Sequence, residues 1–158
     1  MEEKIRKIKV GDAAPDFTLK DQDGTDFKLS GQKGKHVLLS FHPLAWTEVC
    51  KLQMQSLEGN HATFVMLNTV TAGLSVDAVL SKKAWADNIG VTRTPLLADF
   101  WPHGGVAKLY DIFREKNGFS ERANIIIDEA GRIKLLKTYP LSQLPDIEEI
   151  IDILRDNK

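Results

Sequence analysis

The segment 41-FHPLAWTEVC-50 decides how this chain is read. It continues a nearly all-apolar run, 36-HVLLSF-41, of the kind that forms a strand buried on both faces. Pro43 cannot donate to a sheet ladder, so the strand ends there. From Thr47 onward the pattern turns helical, with Leu57, His61 and Phe64 at i, i+4 and i+7 and Gln53 one turn earlier. The segment is therefore a handover from strand to helix. Cys50, the single cysteine of the chain, falls in the first helical turn. A thiol there faces unpaired backbone N–H groups and the positive end of the helix dipole, and both favour the thiolate.

Ionisation alone accelerates little. An ordinary cysteine is about 3% thiolate at pH 7, so complete ionisation gains at most about thirtyfold. Further acceleration must come from groups that hold the reacting oxygens, at about 1.4 kcal/mol per tenfold. Thr47 stands three residues before Cys50, so hydroxyl and sulfur can share one helical face. That hydroxyl could donate to the sulfur or to a substrate oxygen, or accept a proton. Pro43 restricts the loop and shields the sulfur from bulk water. A lone cysteine is equally read as a small buried core residue, and placement by itself leaves both readings open.

Around this segment, DFTL (16–19) and DFKL (26–29) flank the turn signal Asp23-Gly24, which predicts a hairpin within residues 10–30. The pattern further predicts a helix over 47–66, weakened at Gly59 and stopped by Asn68, then a strand over 70–76. A helix over 77–90 follows, capped by Asp77 or Ser81 and closed by Gly90. Residues 94–100 read as a short strand, 105–112 as a short helix and RANIIID (122–128) as a strand. IKLLKTY (133–139) returns from the turn EAGR. The last helix carries Ile147, Ile150, Ile151 and Leu154 on one face, Pro145 in its first turn, acidic residues at its start and Arg155 and Lys158 at its end. Strands alternating with helices, closed by an antiparallel pair, predict a mixed sheet with helices on both faces.

With 158 residues the chain fits one domain, 1–158. Formal charge is −1 with both signs interspersed, which argues against nucleic acid or an anionic membrane as partner. MEEKIRKIKV does not read as a signal peptide, and no stretch is long enough to span a bilayer; a cytoplasmic protein is expected. One cysteine excludes an internal disulfide, a Cys-x-x-Cys pair and multi-cysteine zinc sites. The four histidines lack metal-ligand spacing.

Pro43, Thr47 and Cys50 form the pattern P-x-x-x-T-x-x-C, which resembles the peroxidatic loop of peroxiredoxins of the AhpC/TSA type. GDAAPDFTL (11–19), SVDAVLSKKAWADNIG (75–90), PLLADF (95–100) and ERANIIIDEAGRI (121–133) are similar to further segments of that family, so the likeness runs from about residue 8 to 155. Without a second cysteine the chain resembles the one-cysteine type, closest to bacterioferritin-comigratory-protein-like members. The resemblance implies a thioredoxin-like fold with an N-terminal hairpin extension. It implies catalytic roles for Cys50, Thr47, Arg122 and Pro43. Arg122 is the arginine that matches, while Arg93, Arg114 and Arg132 read as surface residues. The implied reaction forms a sulfenic acid on Cys50 at the expense of hydrogen peroxide or an organic hydroperoxide. No metal, flavin or haem is required. Recycling falls to an external thiol, either a thioredoxin- or glutaredoxin-like protein or a small thiol. A homodimer through the edge near the loop, with Trp46 and Trp101 contributing apolar surface, is a weaker implication.

Three departures from the family's habits stand out. Trp46 replaces the usual phenylalanine or smaller residue, and Gln53 falls where an acidic residue is common. His42, expected to bond to the backbone, occupies a place usually aromatic or small. Two other functions stay open on the sequence: a peroxide sensor that relays oxidation from Cys50 to a partner, and a thioredoxin-fold binding module with an inert cysteine.

Overall fold

The structure, a computed structural model, describes residues 7–156. Most of the leading MEEKIRKIKV segment and the place of Lys158 in the last helix lie outside the described residues. Strands β1 (Thr18–Lys20) and β2 (Asp26–Lys28) pair antiparallel around Gly24, whose φ of 79° favours glycine at this turn. β3 (His36–Phe41) is buried along its whole length. α1 (Glu48–Gly59) and α2 (His61–Met66) lead to β4 (Thr69–Ser75), and α3 (Val79–Ile89) leads to β5 (Leu96–Ala98). Then come α4 (Gly105–Leu109), the small hairpin β6 (Phe113–Arg114) and β7 (Phe119–Ser120), β8 (Arg122–Ile127), β9 (Ile133–Tyr139) and α5 (Ile147–Arg155).

The central sheet runs β5-β4-β3-β8-β9, parallel from β3 to β5 and antiparallel across β8 and β9. Period-2 alternation of β3 divides the core. Val37, Leu39 and Phe41 enter one apolar cluster with Phe17, Phe27, Val106 and Tyr110, beneath the N-terminal hairpin and α4. Leu38 enters a second cluster with Met54, Leu57, Phe64, Trp85 and Ile151, beneath the other four helices. The expected mixed sheet with helices on both faces is the one observed.

Register is what positions the site. Phe41 pairs with Ala123, so Arg122 lies one step further, level with the start of the 42–47 loop. Two segments separated by 72 residues are thereby brought to one edge of β3.

Several expectations need correction. The helix over 47–66 breaks at Asn60 (φ −105°, ψ 14°), directly after Gly59. Neither Asp77 nor Ser81 caps α3: its N-cap is Ala78, while the Asp77 carboxylate and the Ser81 hydroxyl bond to loop residues instead. Gly90 does close α3 in the left-handed conformation. β5 and α4 are shorter than predicted, and the β6–β7 hairpin was not foreseen. Pro145 precedes the α5 cap, Asp146, which accepts the Glu148 N–H at 3.0 Å.

Two polar side chains lock the β5 side of the sheet. Gln22 donates to the Thr94 carbonyl and accepts the Leu96 N–H at 2.7 Å, standing in for a strand partner. Glu58, at the end of α1, accepts the N–H groups of Arg93 and Thr94 and both hydroxyls of Thr92 and Thr94 at 2.9–3.1 Å. Burial alone would raise this carboxyl, but the hydrogen bonds outweigh it and hold Glu58 below its usual value. A depressed carboxylate contributes stability above its unfolded pKa of about 4.3 and loses it as pH falls through the folded value. Glu58→Gln is therefore expected to cost on the order of 1 kcal/mol at pH 7, allowing for its partial exposure. In urea titrations the gap between variant and wild type should close as pH falls below about 4.

Candidate active site

Thr47 caps α1 in extended geometry (φ −110°, ψ 156°), but its side chain makes no cap bond. Its hydroxyl donates to the Leu44 carbonyl at 2.8 Å. Having one proton, it does not donate to the Cys50 sulfur in this arrangement, and its lone pairs stay available as acceptors. This narrows the expected role of Thr47 to accepting a proton. Trp46 turns the loop with φ 70°, a conformation that costs a residue with a Cβ about 1–2 kcal/mol. The turn is held from two sides: the Ala45 N–H donates to Asp77 Oδ2 at 2.8 Å, and the Trp46 indole donates to Ser81 at 3.2 Å. Pro43 is buried beneath this loop, while Trp46 and Thr47 are exposed.

Cys50 has 0% exposure. Its sulfur accepts a hydrogen bond from Arg122 Nη1 at 3.4 Å. Arg122 is itself buried and rigidly held. Nε and Nη2 both donate to the Leu141 carbonyl, at 3.0 and 2.7 Å, and Nη1 donates to Gln53 Oε1 at 2.7 Å. Gln53 donates in turn to the Ser40 hydroxyl at 2.7 Å and the Phe41 carbonyl at 3.1 Å. Ser40 donates its hydroxyl hydrogen bond to Asn124 Oδ1 at 2.8 Å.

The neutrality of Gln53 matters. Carbonyl and amide oxygens satisfy the geometry of the guanidinium without cancelling its charge. Among these partners the Cys50 sulfur alone can become an anion, so the field of Arg122 acts on it undiminished. An acidic residue at position 53 would share that field.

The structure thus brings Cys50, Arg122 and Gln53 into one bonded cluster, with Pro43 and Thr47 on the loop above. Arg93 and Arg132 are exposed and Arg114 pairs with Glu121 at 3.0 Å, consistent with their reading as surface residues. The Ser40 backbone acts on the His42 ring, in keeping with the expectation, and Nε2 also lies 3.2 Å from Lys82 Nζ, with both side chains 0% exposed. Lys82, buried beside His42, was not singled out in the sequence. Its signal was in the pattern: Lys82, Trp85, Ala86 and Ile89, at i, i+3, i+4 and i+7, form the buried face of α3.

Comparison with known proteins places this geometry. Residues 10–136 match the model of the AhpC/TSA family. Alkyl hydroperoxide reductase E of Mycobacterium tuberculosis is 39% identical over 140 residues, spanning 88% of this chain and 91% of that protein. A peroxiredoxin of Thermoplasma volcanium is 33% identical over 153 residues, 94% of this chain and 74% of the relative. Among solved structures, reduced 2-Cys peroxiredoxin of Plasmodium vivax superposes with a TM-score of 0.85 at 29% identity, covering 92% of this chain and 80% of the other. AhpC of Enterococcus faecalis gives 0.85 at 26% identity, covering 92% and 90%. A match over most of the chain, around a cysteine and an arginine drawn together by the sheet, means that this protein belongs to the AhpC/TSA family.

Proposed function

We propose that this protein is a thiol-dependent peroxidase in which Cys50 reduces hydrogen peroxide or an organic hydroperoxide. The observation that carries the reading is the 3.4 Å contact from the Arg122 guanidinium to a cysteine sulfur in the first turn of α1. The Cys50 thiolate attacks one peroxide oxygen, an S–O bond forms and the O–O bond breaks. The departing oxygen takes a proton and leaves as water or an alcohol, and Cys50 becomes a sulfenic acid. Arg122 and the N–H groups of the first helical turn meet the charge as it moves onto the leaving oxygen. Thr47, its own proton committed to Leu44, orients the peroxide by accepting its hydrogen.

The sulfur has no exposed surface, so a peroxide reaches it by displacing part of its cover. The exposed part of that cover is the loop carrying Trp46 and Thr47. Pro43 fixes the course of this loop. With no second cysteine, the sulfenic acid condenses with an external thiol, releasing water, and a further thiol frees Cys50 from the mixed disulfide. A thioredoxin- or glutaredoxin-like protein or a small thiol of the cytoplasm supplies these equivalents. A homodimer is part of the same reading: Trp46 and Trp101 are 53% and 80% exposed and leave apolar surface to cover.

Replacing Cys50 by Ser should abolish peroxide consumption in a stopped-flow assay with excess thiol; retained turnover would remove Cys50 from the chemistry. Thr47→Val should lose about a hundredfold in the rate of sulfenic acid formation while Thr47→Ser stays within about tenfold, and equal losses would dismiss the hydroxyl. Arg122→Met should slow the same step by about 10² to 10³. Gln53→Glu should move the pH profile of Cys50 alkylation by iodoacetamide to higher pH, because its carboxylate competes for the charge of Arg122.

A further inference from the structure

The buried charge around Cys50 does not end with Arg122. Beyond β3, on the side of β4, Lys82 has no exposed surface. Its Nζ donates to Ser75 Oγ at 2.5 Å, lies 3.2 Å from His42 Nε2 and sits 5.7 Å from the centre of the Trp85 ring. The Ser75 hydroxyl donates to Asp77 Oδ2 at 2.6 Å, and the same carboxylate oxygen accepts the Ala45 N–H at 2.8 Å. A chain of hydrogen bonds therefore runs from the lysine into the loop that carries Pro43 and Thr47. His42, Ser75 and Asp99 stand at the carboxyl ends of β3, β4 and β5, so Lys82 fills the crevice at the ends of three parallel strands.

Packing alone does not account for a lysine here. It occupies an apolar stripe with Trp85, Ala86 and Ile89, where an aliphatic side chain would avoid the several kcal/mol of burying an ammonium. The titratable groups that act on it come from four elements. His42 follows β3 and Asp77 follows β4. Asp99 follows β5, and Cys50 lies in α1. Burial first, and then the charge of Lys82, hold His42 well below its usual value. Asp99 is engaged by the N–H groups of Val106 and Ala107, and Asp77 by Ser75 and Ala45.

We propose that Lys82 is a positioning residue of the peroxide site: from the side of β3 opposite Arg122 it steadies the 43–47 loop through Ser75 and Asp77 and supplies a second positive charge that favours the Cys50 thiolate. The proposal rests on Cys50 being the reacting atom. Burial pulls Lys82 down to about 7, while the charges of Asp77, Cys50 and Asp99 push it the other way. Oxidation of Cys50 to a neutral sulfenic acid would remove one of the three groups whose charge supports the lysine.

The test follows the thiol itself. Lys82→Met and Lys82→Gln, each checked by thermal melting, are titrated by the rate of Cys50 alkylation with iodoacetamide from about pH 4 to about pH 9, a range that spans thiol titration. Both variants should shift the profile to higher pH and slow alkylation at pH 7 by about tenfold. Lys83→Gln, on the exposed side where Lys83 pairs with Asp23 and Asp87, should leave it in place. An unmoved profile in a folded Lys82 variant overturns the proposal. A shift in Lys82→Met that Lys82→Gln restores overturns the second positive charge and leaves the hydrogen bond to Ser75 as what Lys82 contributes. A second measurement needs no lysine variant. In protein labelled with ¹³C at the lysine side chains, the Lys82 resonance should titrate at lower pH in Cys50→Ser than in wild type, and equal midpoints overturn the coupling. Peroxide consumption measured alongside separates the readings: wild-type protein inert to peroxide refutes the peroxidase, while the alkylation and resonance titrations still judge Lys82.

Discussion

The contact between the Arg122 guanidinium and the Cys50 sulfur is the constraint around which the rest of the site is arranged. A buried cation needs compensation, and an arginine left without it costs several kcal/mol. Here the Leu141 carbonyl and the Gln53 amide satisfy its hydrogen bonds but leave its charge whole. The low-dielectric surroundings of Met54, Leu57 and Trp85 then act in two ways. They magnify the attraction between the guanidinium and any negative charge that forms on the sulfur, and they exclude the water that would otherwise dissipate it.

Holding that contact requires a stiff frame, and the frame is the antiparallel register of β3 on β8. Gln53 extends it by bonding Arg122 on one side and Ser40 and Phe41 of β3 on the other, so helix, strand and arginine are tied together. The loop between β3 and α1 is the less regular partner. It carries a left-handed Trp46 and is tied down by Asp77 and Ser81, residues that a sequence reader would spend on a helix cap. Strain and anchoring of this kind gather where a chain must present reactive groups in one orientation.

Much of the fold was legible because it rests on local rules. The hairpin around Asp23-Gly24, the apolar run of β3, the strand RANIIID and the amphipathic α5 all follow from periodicity and turn chemistry, and each was observed. The misreadings share one cause. Asp77 and Ser81 have cap-forming side chains, but two tertiary donors in the 43–47 loop, the Ala45 N–H and the Trp46 indole, claim them first. The helix over 47–66 was read as continuous because Gly59 only weakens a helix; the break at Asn60 comes with the turn that carries the chain toward β4.

From the order of residues alone came the position of Cys50 at a helix start, its neighbours Pro43 and Thr47, and the candidacy of Arg122. These follow from spacing within a turn or from likeness to a family's motif. Which groups touch the sulfur, that the Thr47 proton is committed to Leu44, and that a lysine lies buried beyond β3 were decided only by the tertiary structure. The physical reason is distance along the chain. Hydrogen bonds such as those of Arg122 to Cys50 and Gln53, or of Lys82 to His42, join residues 40 to 72 positions apart, and only sheet register and helix packing set their geometry.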